Sequence, residues 1–163
     1  MATSSIFHTR AGKYIAFQIA RRYFAVEAHR VRTVVPANTM EPGDRGIDFI
    51  QGLVRVNGRE FPVLDVKSRL GVAEHKPRPR GSVLVVEVGV RGSGACIGLV
   101  ADKLIEVLDV REREIRGNVV QLRSNGRPYG RPKMLLDLEH LVTKEELACL
   151  QTLNGNWIDA SAG

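Results

Sequence analysis

The sequence predicts an all-β chain with short helices, arranged as two small β-barrels that share the chain about equally. Three observations lead there. Short runs rich in β-branched residues alternate with Gly and Pro turns. An Asn57-Gly58 pair stands between two apolar runs, a strong short-range hairpin signal because a type I′ turn needs positive φ at both central positions. Two segments of the chain also recur, in the same order, at nearly one offset.

The elements follow in order. Tyr14–Ile19 (YIAFQI) alternates and reads as a strand; Tyr23–Val35 is β-branched with a turn-like middle. Gly52–Val56 and Glu60–Leu64 form the arms of the hairpin around Asn57-Gly58. Asp65 can cap a short helix to Leu70, with Gly71 as its left-handed stop. Val83–Val88 (VLVVEV) is a buried-strand pattern, residues 89–94 (GVRGSG) a turn, and Ala95–Val100 the returning strand. Residues 101–110 continue with Leu104, Ile105, Val107, Leu108 and Val110, and Met134–Leu138 closes the set. Asp137 can cap a short helix over Leu138–Val142. Thr143 and Glu146 make a capping box for a helix over about 144–153, with Gly155 as its stop.

The repeat sets the expected division. Asn57–Val66 (NGREFPVLDV) matches Tyr129–Leu138 (YGRPKMLLDL), with Gly58 at 58 meeting Gly130 at 130, an offset of 72. Phe24–Val35 matches Ile97–Leu108 at an offset of 73, with Ala28 meeting Ala101. We therefore expect one domain over 13–153: a first barrel over about 13–75, a second over about 82–142, and a C-terminal helix. Residues 1–12 and 154–163 are expected to be flexible tails.

At 163 residues the chain is one domain's worth and can bury a core without metal or disulfide staples. Two cysteines are too few for a disulfide framework and suit a reducing compartment. No apolar run approaches the ~20 residues of a transmembrane helix, and the first dozen residues lack a signal-peptide layout. A cytosolic location follows as the expectation. The net charge of +6 leaves a nucleic-acid partner open as the alternative function. That reading needs aromatics interleaved with basic residues on one face. Phe17, Tyr23 and Phe24 are the only local aromatic group and read better as core.

No catalytic constellation emerges. There is no Walker A sequence, and the glycines of 89–94 are wrongly spaced for a dinucleotide fingerprint. His8, His29, His75 and His140 are scattered, Cys96 and Cys149 lie in apolar surroundings, and no serine sits in a nucleophile elbow. Asp65 and Asp137 occupy matching repeat positions, and capping accounts for both. The chain is read as a non-enzymatic binding module without cofactor or metal.

Four stretches, Tyr14–Val31, Gln51–Gly71, Ile97–Val110 and Met134–Leu147, resemble the CheW-like coupling proteins of bacterial chemotaxis. The best motif is Gly52, Gly58, then Pro62-Val63-x-Asp65. The resemblance implies a tandem pair of five-stranded SH3-like barrels and an adaptor without catalytic activity. It implies two partners: the regulatory domain of a CheA-type histidine kinase, and the cytoplasmic tip of methyl-accepting receptors, a helical hairpin lying between the barrels. Carried over by position, the partner site comprises Val31, Thr33, Val34, Asn57, Gly58, Val83, Leu84, Leu104 and Val107. No nucleic acid and no membrane insertion are implied, only recruitment to receptor arrays at the membrane's inner face. The sequence departs from the family at one place. Where the family reads Asn-Leu-Arg-Gly, this chain has Arg55-Val56-Asn57-Gly58, so Asn57 replaces a partner-contact arginine. Arg55, two positions away on the same strand face, is expected to supply the lost charge.

Overall fold

The structure, a computed structural model, describes residues 10–44, 46–71, 81–90 and 94–154. The strands are β1 (Gly12–Ile19), β2 (Arg22–Glu27), β3 (Val31–Pro36), β4 (Glu41–Pro42), β5 (Ile50–Val56), β6 (Arg59–Leu64), β7 (Ser82–Val88), β8 (Ala95–Ala101) and β9 (Lys103–Val110). Then come β10 (Ile115–Arg116), β11 (Val119–Val120), β12 (Arg123–Ser124), β13 (Arg127–Pro128) and β14 (Lys133–Leu135). Two α-helices, α1 (Val66–Arg69) and α2 (Lys144–Asn154), complete the set. The expected turn centre at 91–93, the basic loop 76–80, His8, His75, Gly155 and the outer parts of both tails lie outside the described residues. Residues 10–12 do not behave as a tail: the N–H groups of Arg10 and Ala11 both donate to the Glu112 carboxylate, and Gly12 opens β1.

The strands form two six-stranded sheets, each the wall of a barrel-like half. One runs β10-β11-β14-β2-β1-β9 and the other, read from its far edge, β4-β5-β6-β8-β7-β3. These are one order written twice. The second sheet has Val63 opposite Gly98 and the first has Leu135 opposite Ala25. The steps from Val63 to Leu135 and from Ala25 to Gly98 reproduce the two offsets of the sequence repeat. The halves are therefore not consecutive, and the expected boundaries at 13–75 and 82–142 are corrected. Each copy of the repeat lends its first hairpin to the other: β1–β2 joins β9–β11 and β14, and β7–β8 joins β3–β6. Each sheet holds six strands, the outermost at one end only two residues long. A repeat reveals which segments are alike, but not which of them pair.

The exchange produces three cores. Ala16, Ala25, Leu108, Ile115 and Val120 fill one half, and Val54, Phe61, Val63, Val83 and Val85 fill the other. Between them lies the largest core, made chiefly by the exchanged hairpins: Phe17, Ile19, Phe24 and Val26 against Leu84, Val86, Ile97 and Leu99. Strand alternation explains the arrangement, since Val83 and Val85 point into their own half and Leu84 and Val86 into the central core. Phe17 and Phe24 stack with ring centroids 6.0 Å apart, so both are core as expected. Burying each contributes roughly 1.5–3 kcal/mol.

Polar contacts pin both crossings between sheets. Where β2 passes to β3, buried Arg30 donates to the Gly89 carbonyl at 3.1 Å, at the tip of the opposing hairpin. Where β8 passes to β9, the Asp102 carboxylate accepts from the N–H of Ala20, at the tip of the other hairpin, at 2.6 Å. Asp102 also takes the Lys67 ammonium at 3.1 Å. The Glu114 carboxylate organises the β10–β13 arm. Burial opposes its charged form, but the N–H groups of Arg111 and Arg123 at 2.8 and 2.7 Å outweigh that and hold its pKa below the ordinary value.

Asp65 caps α1 through the Ser68 N–H, and Gly71 takes φ 71°, as expected. Asp137 accepts from the Glu139 and His140 N–H groups, but it caps a turn; Leu138–Val142 form no helix. The Thr143 capping box opens α2, with Thr143 Oγ1 accepting from the Glu146 N–H at 3.1 Å and Glu146 Oε1 accepting from the Thr143 N–H at 2.9 Å. Leu150 is buried and Leu147 half-buried on this helix, whereas Leu153 is exposed. The guanidinium of Arg69, at the end of α1, grips Glu146 by two parallel bonds of 2.7 Å each, and so holds α2 against the domain.

Two outcomes follow from these contacts. Asp102→Ala should cost about 1–3 kcal/mol in chemical denaturation, because the Ala20 N–H loses its acceptor; Asp102→Asn, which keeps an acceptor oxygen, should cost less. The Arg69 bonds also hold the Glu146 pKa below the ordinary carboxylate value. A depressed folded-state pKa contributes stability that is present above the unfolded pKa and lost as pH falls through the folded one. Glu146→Gln should therefore lower stability at neutral pH and flatten the decline below about pH 4.3, measured as Tm against pH.

Candidate functional site

Edge strands are where a sheet can accept a partner, because their outer N–H and C=O groups lack a neighbour. In this molecule β3 ends one sheet and β9 ends the other, and they occupy equivalent places in the repeated order. Val34 and Val107 are themselves equivalent, separated by the offset of the second repeat pair. Val34 lies opposite Leu84, and Val107 lies opposite Ile15.

The register then decides direction. Leu84 faces the central core and Ile15 packs against it. Residues paired across strands share a face, so Val34 and Val107 both lie on the faces turned toward the seam between the halves. Val31, opposite Val86, and Leu104, opposite Phe17, share those faces. Val31 is half-buried, whereas Val34, Leu104 and Val107 are 38%, 42% and 61% exposed. The two edge strands thus carry apolar side chains along the rims of the seam: Val31 packs against its core, and Val34, Leu104 and Val107 stand exposed beyond it.

The remaining expected residues divide. Thr33 follows a bulge after Val31 that sets it opposite Val85, on the face of its own half's interior. Val83 and Leu84 are fully buried, one in each core, so their place in a partner surface is corrected. They sit on a strand covered on both faces, and a continuous apolar run does not say which positions stay exposed. Asn57 and Gly58 have φ of 52° and 79°, the expected turn. That turn joins β5 to β6, and β6, β8 and β7 separate β5 from β3 in the sheet order. Beside the turn, Val56 of β5 packs in the same core as Val35 of β3. Arg55 is exposed, and its guanidinium is already engaged by Glu60 at 2.9 Å and Glu41 at 3.5 Å. Hydrogen bonding to Glu60, then the charges of Glu41 and Glu60, hold its pKa above the ordinary value.

Sequence reasoning missed the short strands β4 and β10–β13. For one pair a signal was present: Asn125-Gly126 takes φ of 53° and 77° between β12 and β13. Its flanks are polar, so the alternation that marks a hairpin was absent. The groups considered for chemistry take structural places. Burial pushes the Cys96 thiol up to about 11, an inert value. His29 pairs with Glu27 and His140 with Asp137. Among the described residues no three metal-ligating side chains converge, and no helix is long and apolar enough to cross a membrane.

Comparison with known proteins agrees with this architecture. The family model described as the CheW-like domain matches residues 13–146. A chemotaxis protein CheW of Rhizobium meliloti is 26% identical over 102 residues, covering 63% of each chain. A chemotaxis protein CheW of Thermotoga maritima is 21% identical over 101 residues, 62% of this chain and 64% of that one. The chain thus spans less than two thirds of the length of these relatives. The crystal structure of the scaffolding protein TtCheW from Thermoanaerobacter tengcongensis superimposes with a TM-score of 0.63 at 19% identity, covering 80% of this chain and 92% of that one.

Exposure separates the rim from the core in a measurable way. Val34→Asp and Val107→Asp should leave Tm close to that of the parent chain. Leu84→Ala should cost about 2–5 kcal/mol by opening a cavity in the central core.

Proposed function

The chain belongs to the CheW-like family of chemotaxis scaffold proteins, and from that membership we propose that it couples methyl-accepting receptors to the regulatory domain of a CheA-type histidine kinase. The observation that carries the reading is the pair of edge strands with exposed apolar side chains, Val34 on β3 and Leu104 and Val107 on β9. An adaptor performs no chemistry. It holds two partners in fixed relation, so that a small displacement of one alters the other. Edge strands supply main-chain groups for docking a barrel, and the apolar rims supply a surface for a helical hairpin. Individual contacts of this kind are modest and gain strength when many are linked in an array. The adaptor works in the cytoplasm, recruited to the inner face of the membrane by its receptors.

In this reading Arg55 takes over from the arginine that Asn57 replaces, as the positive group beside the turn. Its pairs with Glu60 and Glu41 are solvent-exposed, and such pairs are weak enough to be exchanged for a partner's carboxylate.

Calorimetric titration with the regulatory domain of a CheA kinase from the same organism, at about 150 mM salt, tests the proposal. Saturable one-to-one binding is expected, with Val107→Asp or Val34→Asp weakening it by about tenfold or more. Arg55→Ala should weaken capture of the receptor tip while leaving Tm unchanged. Absence of saturable binding to the kinase domain would sink the adaptor reading, and affinity for the tip untouched by Arg55→Ala would remove the role of Arg55.

A further inference from the structure

The internal repeat exposes a place where, among the described residues, one half is filled and the other is not. Glu41 lies opposite Leu53 in one sheet and Arg116 opposite Val119 in the other. Leu53 in turn faces Pro62, and Val119 faces Met134, the repeat equivalent of Pro62. Glu41 and Arg116 are thus equivalent at a separation of 75, and Leu53 and Val119 at a separation of 66. The two separations differ by nine, and the difference falls between Pro42 and Gly52: residues 43–51 have no counterpart between β10 and β11.

This inserted segment plugs its half. Ile50 is part of the central core, and Ile47 and Phe49 pack against it. The Phe49 carbonyl accepts the N–H of Asp65 at 3.0 Å. In the other half the chain turns directly through Gly117 and Asn118, and a cleft of about 690 Å³ opens there. Its apolar lining includes Val26, Leu136 and Leu138, the equivalents of Leu99, Leu64 and Val66 in the plugged half. Asp137, the equivalent of Asp65, also lines it, and among the described residues no carbonyl takes the Asp137 N–H. The charged side chains at the mouth are largely engaged already: Glu27 with His29, Arg30 with Gly89 and Glu87, and Asp137 with His140. Arg10, which donates to the Gly117 carbonyl, and Glu139 also line it; among the described residues no apolar side chain fills the cleft as Ile47 and Phe49 fill the other half, and no carbonyl takes the Asp137 N–H.

We propose that this cleft is a docking site for a loop of a partner protein that presents a phenylalanine or isoleucine side chain, with the adjacent main-chain carbonyl received by the Asp137 N–H. The chemistry is that of residues 47–49, supplied from outside the chain. That the donor is another protein rests on the scaffold reading above; the chemistry of the site does not. The cleft's volume lies in the range that accommodates a short peptide rather than one atom or ion.

The test uses the full chain and the blocked tetrapeptide acetyl-Gly-Ile-Asp-Phe-amide, the sequence of residues 46–49. Methyl and amide NMR should show saturable shifts at Val26, Leu136, Leu138 and the Asp137 amide. The peptide with alanine in place of Ile and Phe should produce none. A variant with residues 43–51 copied between Gly117 and Asn118 should lose the response by at least about tenfold, while the Phe17 and Phe24 resonances confirm that its central core persists. No saturable shift, or equal binding by the grafted variant, overturns the site. Movement of the same methyls by Phe7→Ala without peptide would mean that the chain supplies its own plug, and would overturn the partner assignment. None of these readouts uses the kinase domain, so their failure is separable from failure of the adaptor reading.

Discussion

The exchange of hairpins between the two copies of the repeat is the constraint on which the rest of this structure depends. With it, β1–β2 and β7–β8 are each hydrogen-bonded into the opposite sheet, and their inner faces meet as the central core. The largest fully buried side chains, Phe17, Ile19, Leu64, Leu84, Ile97, Leu99 and Leu150, all belong to that core. Neither copy of the repeat can leave without breaking both sheets. This is why polar side chains are placed at the crossings: Arg30 and Asp102 each tie a crossing to the tip of the opposing hairpin.

The same exchange decides which strands remain open. A hairpin inserted beside β3 or β9 leaves that strand at the margin, paired on one side only. The margins are equivalent, so the molecule presents two similar open edges in a fixed relation. That arrangement suits a scaffold: its work lies in the relative placement of two surfaces, and the shared core makes the placement rigid. The two edges are alike without being identical, since Val34 is less exposed than Val107. The halves also differ between the 43–51 segment and the Gly117–Asn118 turn, which gives them separate surfaces.

Local chemistry was readable from residues close in the chain. The Asn57-Gly58 turn, the Asp65 cap with Gly71 and the Thr143–Glu146 capping box each involve groups within a few residues of one another, and each was legible. Asp137 shows the limit: its cap forms, but Leu138, Leu141 and Val142 are drawn into the central core and the backbone turns instead of winding into a helix. The candidate site was legible in part for the same reason. Val31, Val34, Leu104 and Val107 lie on the seam faces of the edge strands, while Val83 and Leu84, equally apolar, lie on a strand enclosed from both sides. An apolar run looks alike in both settings.

Sequence alone determined the all-β class, the main strands and turns, the helix caps, and the existence of two related copies. These depend on side-chain alternation, on the φ preferences of Asn and Gly, and on self-similarity, all properties of neighbouring residues or of aligned segments. Only the tertiary structure decided that the copies exchange hairpins, that β3 and β9 become the open edges, and that residues 47–50 pack against the central core in one half while, among the described residues, a cleft stands at the equivalent place in the other. Strand pairing between distant segments depends on how three apolar faces can be buried at once, and no local pattern carries that choice.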